Sequence, residues 1–98
     1  MLYLGTETNK MKKVISTTNA PAAIGPYSQA ILSNNTLYCS GQIAINPATG
    51  NLVMDNITIE TAQVMQNIAA VLKAAEMDFS NVVKCSIFMK DMNDYAAI

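Results

Sequence analysis

Few side chains in this sequence combine the type and the position that catalysis or ligand binding requires, and the main candidates lie between residues 20 and 43. Tyr27 supplies a phenol and Ser40 supplies a hydroxyl next to Gly41, at the ends of two predicted neighbouring strands. The chain contains no His, no Trp and no Arg, so all six basic residues are Lys. Any chemistry therefore comes from a small set of polar groups, without imidazole or guanidinium.

Tyr27 and Ser40 each have a purely structural interpretation as well. The tyrosine fits a core residue packed behind Pro26, and the serine fits a strand-end hydroxyl bonded to the backbone. Periodicity alone favours these structural interpretations over a functional one.

The two cysteines form no recognisable metal or redox motif. Cys39 and Cys85 fall on separate predicted strands, with no Cys-x-x-Cys spacing and no His in the chain. No neighbouring His or Arg is available to activate either thiol. We predict that both are small buried hydrophobic residues and that there is no metal site.

The composition predicts a single apolar domain that associates with other subunits. The 98 residues are 51% hydrophobic and 13% charged, whereas roughly 25% of an ordinary domain is charged. A small monomer would leave part of that apolar surface in water, so association is favoured over an apolar monomer.

The charge and hydropathy of the sequence predict which partners the protein lacks and where it is located. The net charge is −1, and the one basic cluster lies at residues 10–13, which disfavours binding to nucleic acid. No segment reaches the ~18 apolar residues of a membrane span, and residues 1–4 are too short for the core of a signal peptide. The prediction is a cytoplasmic protein with no membrane partner.

Hydrophobic periodicity and turn residues predict four strands and one long helix. The predicted strands cover residues 13–17, 27–32, 36–42 and 82–90, and the predicted helix covers residues 58–76. A loop at 19–26, a hairpin turn at 33–35 and a second turn at 46–50 connect them. Strands followed by a helix and a further strand indicate an α+β fold.

The predicted helix has a capping residue and two distinct sides. Thr58 is its expected N-cap. Apolar residues recur at three-to-four spacing along one side. The other side is expected to face water and carries the polar residues Gln63, Gln66, Asn67 and Lys73.

The predicted strand at 82–90 alternates clearly between apolar and polar residues. Its apolar side is expected to pack on the helix and consists of Val83, Cys85, Ile87 and Met89. Because it follows a helical crossover, we expect it to run parallel to an earlier strand. Phe88 interrupts the polar side, which suggests contact with another subunit or a ligand.

The two ends of the sequence differ from the middle. Residues 1–12 are predicted to be a leader and residues 13–98 the domain. Residues 91–98 resemble the opening of a second helix capped by Asn93, yet isolated helices need roughly 12–15 residues to be even marginally stable. We therefore expect an incomplete domain or one completed by a partner, with a short frayed tail as the alternative.

Several motifs together resemble the RidA/YjgF family of reactive-intermediate deaminases, also described as endoribonucleases or translation inhibitors. The motifs are APAAIGPYSQA (20–30), SGQI (40–43), NPATG (46–50), NVVK (81–84) and KDMNDY (90–95). They stand in the family's order and spacing, and the resemblance extends over residues 13–98.

The resemblance implies a chorismate-mutase-like α+β fold, with a mixed sheet packed on helices. It also implies a homotrimer with a pocket at each subunit interface. The implied reaction is hydrolysis of 2-iminobutanoate and 2-iminopropanoate to 2-oxo acids and ammonia, with no cofactor. A last helix and two strands of that fold are not encoded in these 98 residues.

The resemblance also assigns site residues. Tyr27 matches the catalytic pocket tyrosine, Ser40 and Gly41 match the pair that lines the substrate site, and Tyr95 matches an aromatic wall residue that is usually Phe. The family's carboxylate-binding arginine and water-positioning glutamate have no counterpart in this sequence. Lys does not replace the bidentate guanidinium without loss.

Three functions follow from these observations. The first is an imine deaminase, and the second is a non-catalytic protein that binds a small ligand or regulates. The third, an endoribonuclease or translation inhibitor, is least favoured because the chain lacks His, Arg and a basic surface.

Overall fold

A computed structural model describes residues 12–23 and 27–98. The predicted leader, apart from Lys12, lies outside the described residues, as does the end of the predicted loop at 19–26. The elements are β1 (Lys12–Ile15), β2 (Ala30–Ser33), β3 (Thr36–Cys39), α1 (Ile57–Ala74) and two short 3₁₀ helices, Phe79–Asn81 and Met92–Asp94. The α+β class predicted from the sequence is confirmed.

The three strands form an antiparallel sheet in the order β1-β2-β3, so β2 is the central strand. The β2–β3 connection is a two-residue hairpin in which Asn34 and Asn35 both have positive φ, 50° and 66°. That combination is the type I′ turn, whose twist matches the twist of the flanking strands, and Asn tolerates it better than most residues. The predicted hairpin is therefore confirmed.

The second predicted turn also forms. The amide of Gly50 donates to the carbonyl of Asn46 at 2.8 Å, and Gly50 has a φ of 74°, which favours glycine. Ile45 and Leu52 form a single antiparallel bridge beyond it. The turn brings the chain back alongside residues 43–45 before the helix begins.

Helix α1 begins earlier than the sequence predicts, and its N-cap is Asn56 rather than Thr58. Asn56 is extended, and its side-chain oxygen accepts a hydrogen bond from the amide of Ile59 at 2.9 Å. Asn and Thr are both good N-caps. The N-cap is the last extended residue before the helical backbone begins, and here that residue is Asn56. Thr58 lies inside the first turn instead.

The C-terminal end of α1 closes with a Schellman motif. The amide of Met77 donates to the carbonyl of Leu72 at 2.8 Å, and the amide of Glu76 donates to the carbonyl of Lys73 at 2.9 Å. Glu76 takes the left-handed conformation, with a φ of 61°, although glycine is the usual residue at that position. The helix thus ends without glycine at residue 76 or 77.

The core lies between the sheet and α1. Its buried cluster combines Ile15 of β1, Ala20 of the loop between β1 and β2, Ala30 of β2 and Val71 of the helix. Partly buried apolar side chains pack around it, namely Leu32, Leu37, Ala70 and Ala75. The hydrophobic stripe of one amphipathic helix is therefore buried on one face of the sheet.

The predicted strand at 82–90 is not a strand in the structure. Within the described residues this segment pairs with none of β1–β3. Val83 is 99% exposed and Ile87 is also exposed, so the predicted apolar side does not pack on α1, and Phe88 on the other side is 96% exposed. Alternation defines the two sides of a strand, but a strand forms only where a neighbour pairs with its backbone.

The predicted second helix is reduced to one 3₁₀ turn, Met92–Asp94. Its N-cap is Asp91, whose carboxylate accepts from the amide of Asn93 at 2.9 Å, so Asn93 is not the cap. So short a segment cannot offset the nucleation cost of an α-helix without packing. Among the described residues, the structure contains no helix with the length and hydropathy to cross a membrane.

Candidate functional site

An open cavity lies beside Tyr27, where the chain enters β2. Tyr27 is 41% exposed, which excludes the interpretation of this residue as a core tyrosine. The described residues that line the cavity are Pro21, Ala22, Ala23, Tyr27, Gln29, Gln42, Ile43 and Ile45. A second cavity shares Ala22, Ala23, Tyr27 and Gln29 and continues along β1. The phenol of Tyr27 thus stands beside a mainly apolar space that contains two side-chain amides.

Ser40 lies just past the end of β3 and is only 6% exposed. Its hydroxyl donates to the carbonyl of Ser28 at 2.5 Å, and its amide donates to the carbonyl of Gln29 at 2.9 Å. A hydroxyl has one proton to donate, so the proton of Ser40 is already committed to the backbone. The geometry therefore gives Ser40 a role in joining the strand ends next to Tyr27.

Gly41 differs from Ser40 because it faces open space. A methyl group added at its Cα would meet nothing within 4 Å, and its φ is not in the positive range. Neither packing nor backbone conformation within the described chain requires glycine here. Its lack of a side chain leaves the backbone of residue 41 open to a ligand or another chain.

Tyr95 is not brought to the cavity. It follows the second 3₁₀ helix, is 71% exposed and lines neither of the two cavities around Tyr27. The four residues predicted for the site therefore separate in the structure. Tyr27 lines the cavity, Ser40 and Gly41 continue the strand ends next to it, and Tyr95 lies elsewhere.

Gln29 is a site residue that is not among those predicted from the sequence. It is 5% exposed, and its amide oxygen accepts from the amide of Thr17 at 2.7 Å. Its amide nitrogen donates to the carbonyls of Thr17, Ala20 and Pro21 at 3.1, 3.3 and 2.7 Å. One side chain thus secures the loop that carries one wall of the cavity. A Gln beside the apolar run that forms β2 is the signal that could have found it.

Asn67 secures the opposite wall. The amphipathic pattern predicts that it lies on the side of α1 that faces water, and that prediction is wrong because the residue is completely buried. Its amide nitrogen donates to the carbonyls of Ile43 and Ile45 at 3.0 and 2.9 Å. Its oxygen accepts from the side chain of Gln63 at 2.9 Å. Buried polar groups persist where such partners satisfy them.

The predicted burial of the cysteines is also wrong, since both Cys39 and Cys85 are exposed. Cys85 lies on the segment that does not pair with the sheet. Partial burial nonetheless raises the pKa of the Cys39 thiol, because desolvation disfavours the thiolate. Within the described part of the chain, no cluster of His, Cys, Asp and Glu suited to a metal ion is found.

A small antiparallel sheet covered by one helix, with a cavity beside Tyr27 at the strand ends, defines an α+β protein with a candidate site. The sequence model of the endoribonuclease L-PSP family matches residues 17–98. The chain therefore belongs to this family. Its structural neighbours are proteins of the Rid/YjgF family, which is the same family under another name.

Individual relatives agree with this assignment. A 2-iminobutanoate/2-iminopropanoate deaminase from Mus musculus is 49% identical over 88 residues, which are 90% of this chain and 65% of the mouse protein. The structure of a Rid-family protein of unknown function from Yersinia pestis is 53% identical, with a TM-score of 0.85, and the match covers 87% of this chain and 68% of that one. The YjgF gene product of E. coli is 41% identical, with a TM-score of 0.82 and coverage of 87% and 66%. The chain spans about 65% of the length of curated relatives such as the mouse protein.

Proposed function

We propose that this protein hydrolyses small 2-imino acids, such as 2-iminobutanoate and 2-iminopropanoate, to 2-oxo acids and ammonia. The observation that carries the proposal is the exposed phenol of Tyr27 beside an apolar cavity, in a chain 49% identical to a deaminase of that name. Belonging to the family supports the same activity.

The reaction makes modest demands on the protein. Water adds to the imine carbon, the nitrogen leaves as ammonia, and the carbon–oxygen double bond of the 2-oxo acid forms. A protonated imine is already electrophilic, so a site contributes chiefly by holding the substrate and orienting the water. The phenol of Tyr27 both donates and accepts hydrogen bonds and is suited to that role.

The cavity lining suits a short alkyl side chain. Pro21, Ala22, Ala23 and Ile43 contribute hydrocarbon surface, and burial of an alkyl group against such surface is favourable. The open backbone of Gly41 supplies a group for the carboxylate or the departing amine, since no described residue accepts a hydrogen bond from its amide. These 98 residues contain no arginine, so a second copy of this segment would not supply a guanidinium clamp either.

We also propose that the protein assembles as a homotrimer. Large apolar side chains are exposed at Val83, Ile87 and Phe88, and an exposed apolar patch of this kind is typical of an interaction surface. Sedimentation equilibrium of the purified protein checks the assembly, and a monomer at micromolar concentration would exclude it.

A coupled assay tests the proposed activity. Threonine dehydratase generates 2-iminobutanoate, and the rate of 2-oxobutanoate release is measured with and without the protein, expressed from the reading frame that encodes residues 1–98. We expect acceleration by the wild type and a loss of at least tenfold in Tyr27→Phe. Tyr38→Phe, at a half-exposed tyrosine on β3 outside the cavity, is the matched control and should keep the rate.

The alternatives predict different results, which measurements of ligand binding and of RNA cleavage beside the coupled assay distinguish. Binding of 2-oxobutanoate without any acceleration would replace the deaminase by a non-catalytic ligand-binding protein. An endoribonuclease is disfavoured by the lack of His and Arg and by the net charge of −1. Cleavage of RNA that persists after removal of contaminating nuclease would reverse that ranking.

A further inference from the structure

We propose that Asn67 is a positioning residue that limits the size of the substrate side chain, because it holds Ile43 and Ile45 in the cavity wall. The inference rests on the proposed deaminase function and extends it to substrate selection. It assigns a role in the site to a helix residue that does not line the cavity itself.

The wall that Asn67 holds is a tight turn. The amide of Ile45 donates to the carbonyl of Ile43 at 2.8 Å, which closes a three-residue γ-turn just after β3. Ala44 at its centre has negative φ and is buried, so the turn is the inverse form that is common at strand ends. The turn leaves the side chains of Ile43 and Ile45 lining the same cavity.

Packing alone does not hold this wall. Ile43 is 59% exposed, so few neighbours fix its side chain, and its position depends on its backbone. That backbone is tied to α1 by the two hydrogen bonds from Asn67, at 3.0 Å to Ile43 and 2.9 Å to Ile45. Removal of the amide would leave two carbonyls facing the helix without these partners.

Gln63 fixes the orientation of the Asn67 amide. It lies one helical turn earlier, and its amide nitrogen donates to the oxygen of Asn67 at 2.9 Å. The nitrogen of Asn67 is therefore directed to the carbonyls and the oxygen to Gln63. Two variants therefore differ in degree. Asn67→Ala removes both hydrogen bonds to the carbonyls, whereas Gln63→Met removes only the hydrogen bond that orients the Asn67 amide.

The readout is a ratio of specificity constants. Imines with ethyl and butyl side chains are generated in place by an amino-acid oxidase from 2-aminobutanoate and norleucine, and kcat/KM for hydrolysis is measured for each. The ratio does not depend on how much of the enzyme is folded, because an inactive fraction lowers both constants equally. A merely structural role of Asn67 would therefore leave the ratio unchanged.

We expect Asn67→Ala to shift the ratio at least threefold towards the butyl imine, with a smaller shift in the same direction for Gln63→Met. Leu72→Ala is the matched control, since this buried residue lies on the same helix and lines neither cavity. The control should lower stability but keep the wild-type ratio.

The outcomes separate the two proposals. Wild-type acceleration with an unchanged ratio in Asn67→Ala would overturn the positioning role and leave the deaminase function intact. An equal shift in Leu72→Ala would also overturn it, because general loosening would then be the cause. Wild-type protein that fails to accelerate hydrolysis of either imine would overturn the proposed function, and this inference with it.

Discussion

The hydroxyl of Ser40 donates a hydrogen bond of 2.5 Å to the carbonyl of Ser28 across the open end of the β2–β3 hairpin. Since Ser28 directly follows Tyr27, this bond fixes the backbone beside the phenol rather than presenting a donor to the cavity. The serine that sequence resemblance assigns to the substrate site is, in this geometry, a support for the tyrosine.

Replacement of Ser40 by Ala tests that role. We expect a loss of about 1–2 kcal/mol in the free energy of unfolding, because a buried hydrogen bond is lost and the carbonyl of Ser28 loses its partner. We expect kcat of the folded enzyme to fall by less than about threefold. Urea denaturation and the coupled assay measure the two effects, with Ser33→Ala on β2 as the control. A large loss of kcat at unchanged stability would show instead that Ser40 acts on the substrate.

Replacement of Gln29 by Ala should destabilise the protein by about 2–3 kcal/mol, since one buried amide serves both ends of the loop from Thr17 to Pro21. The matched control is Gln66→Ala, at an exposed position of α1, which should change stability by no more than about 0.5 kcal/mol. Denaturant titration of the two variants decides. Equal losses of stability in the two variants would show that the hydrogen bonds of Gln29 stabilise the fold no more than an exposed side chain does.

The start of α1 can be tested with two neighbouring substitutions. Asn56→Ala removes the cap that accepts from Ile59 and should cost about 1 kcal/mol of stability. Thr58→Ala lies inside the helix and should be close to neutral, because Ala has the higher helix propensity. Thermal unfolding of both variants provides the comparison. A larger loss at residue 58 would return the cap to the position that the sequence predicts.

The raised pKa of the Cys39 thiol predicts how the stability of the protein depends on pH. Its folded-state pKa is raised by partial burial, so the folded state retains the proton at pH values where the unfolded chain loses it. Its contribution to stability is therefore full below the ordinary thiol pKa and declines as the pH rises past that value. In a Cys85→Ser variant, alkylation by iodoacetamide at pH 8.5 should be slower for the folded protein than in denaturing urea. Equal rates would contradict the partial burial of the thiol.

Local sequence patterns predict the local elements well. The hairpin at Asn34 and Asn35, the turn closed by Gly50 and the long helix each follow from neighbouring residues. Turn chemistry and hydrophobic periodicity act over a few residues, so they can be recognised without knowledge of the fold. The choice of Asn56 over Thr58 as N-cap shows the limit, since two good caps within one turn are not distinguished by residue type.

Patterns that depend on a distant partner are predicted less well. The alternation at 82–90 is clear, yet within the described chain no strand pairs with it, and Val83 stays exposed. Gln29 and Asn67 show the converse, because both are polar residues whose burial depends on carbonyls elsewhere in the chain. For Asn67 those carbonyls lie more than 20 residues away in the sequence.

The sequence by itself determined the family, the α+β class and the candidate tyrosine, because these depend on residue identities and their order. Only the tertiary structure decided what each polar group does. It directs Ser40 to the backbone, places Tyr27 beside the cavity, buries Gln29 in the cavity lining and buries Asn67 behind the opposite wall. The physical reason is that a hydrogen bond needs both partners within about 3 Å, and in this chain the partners come from segments that only folding brings together.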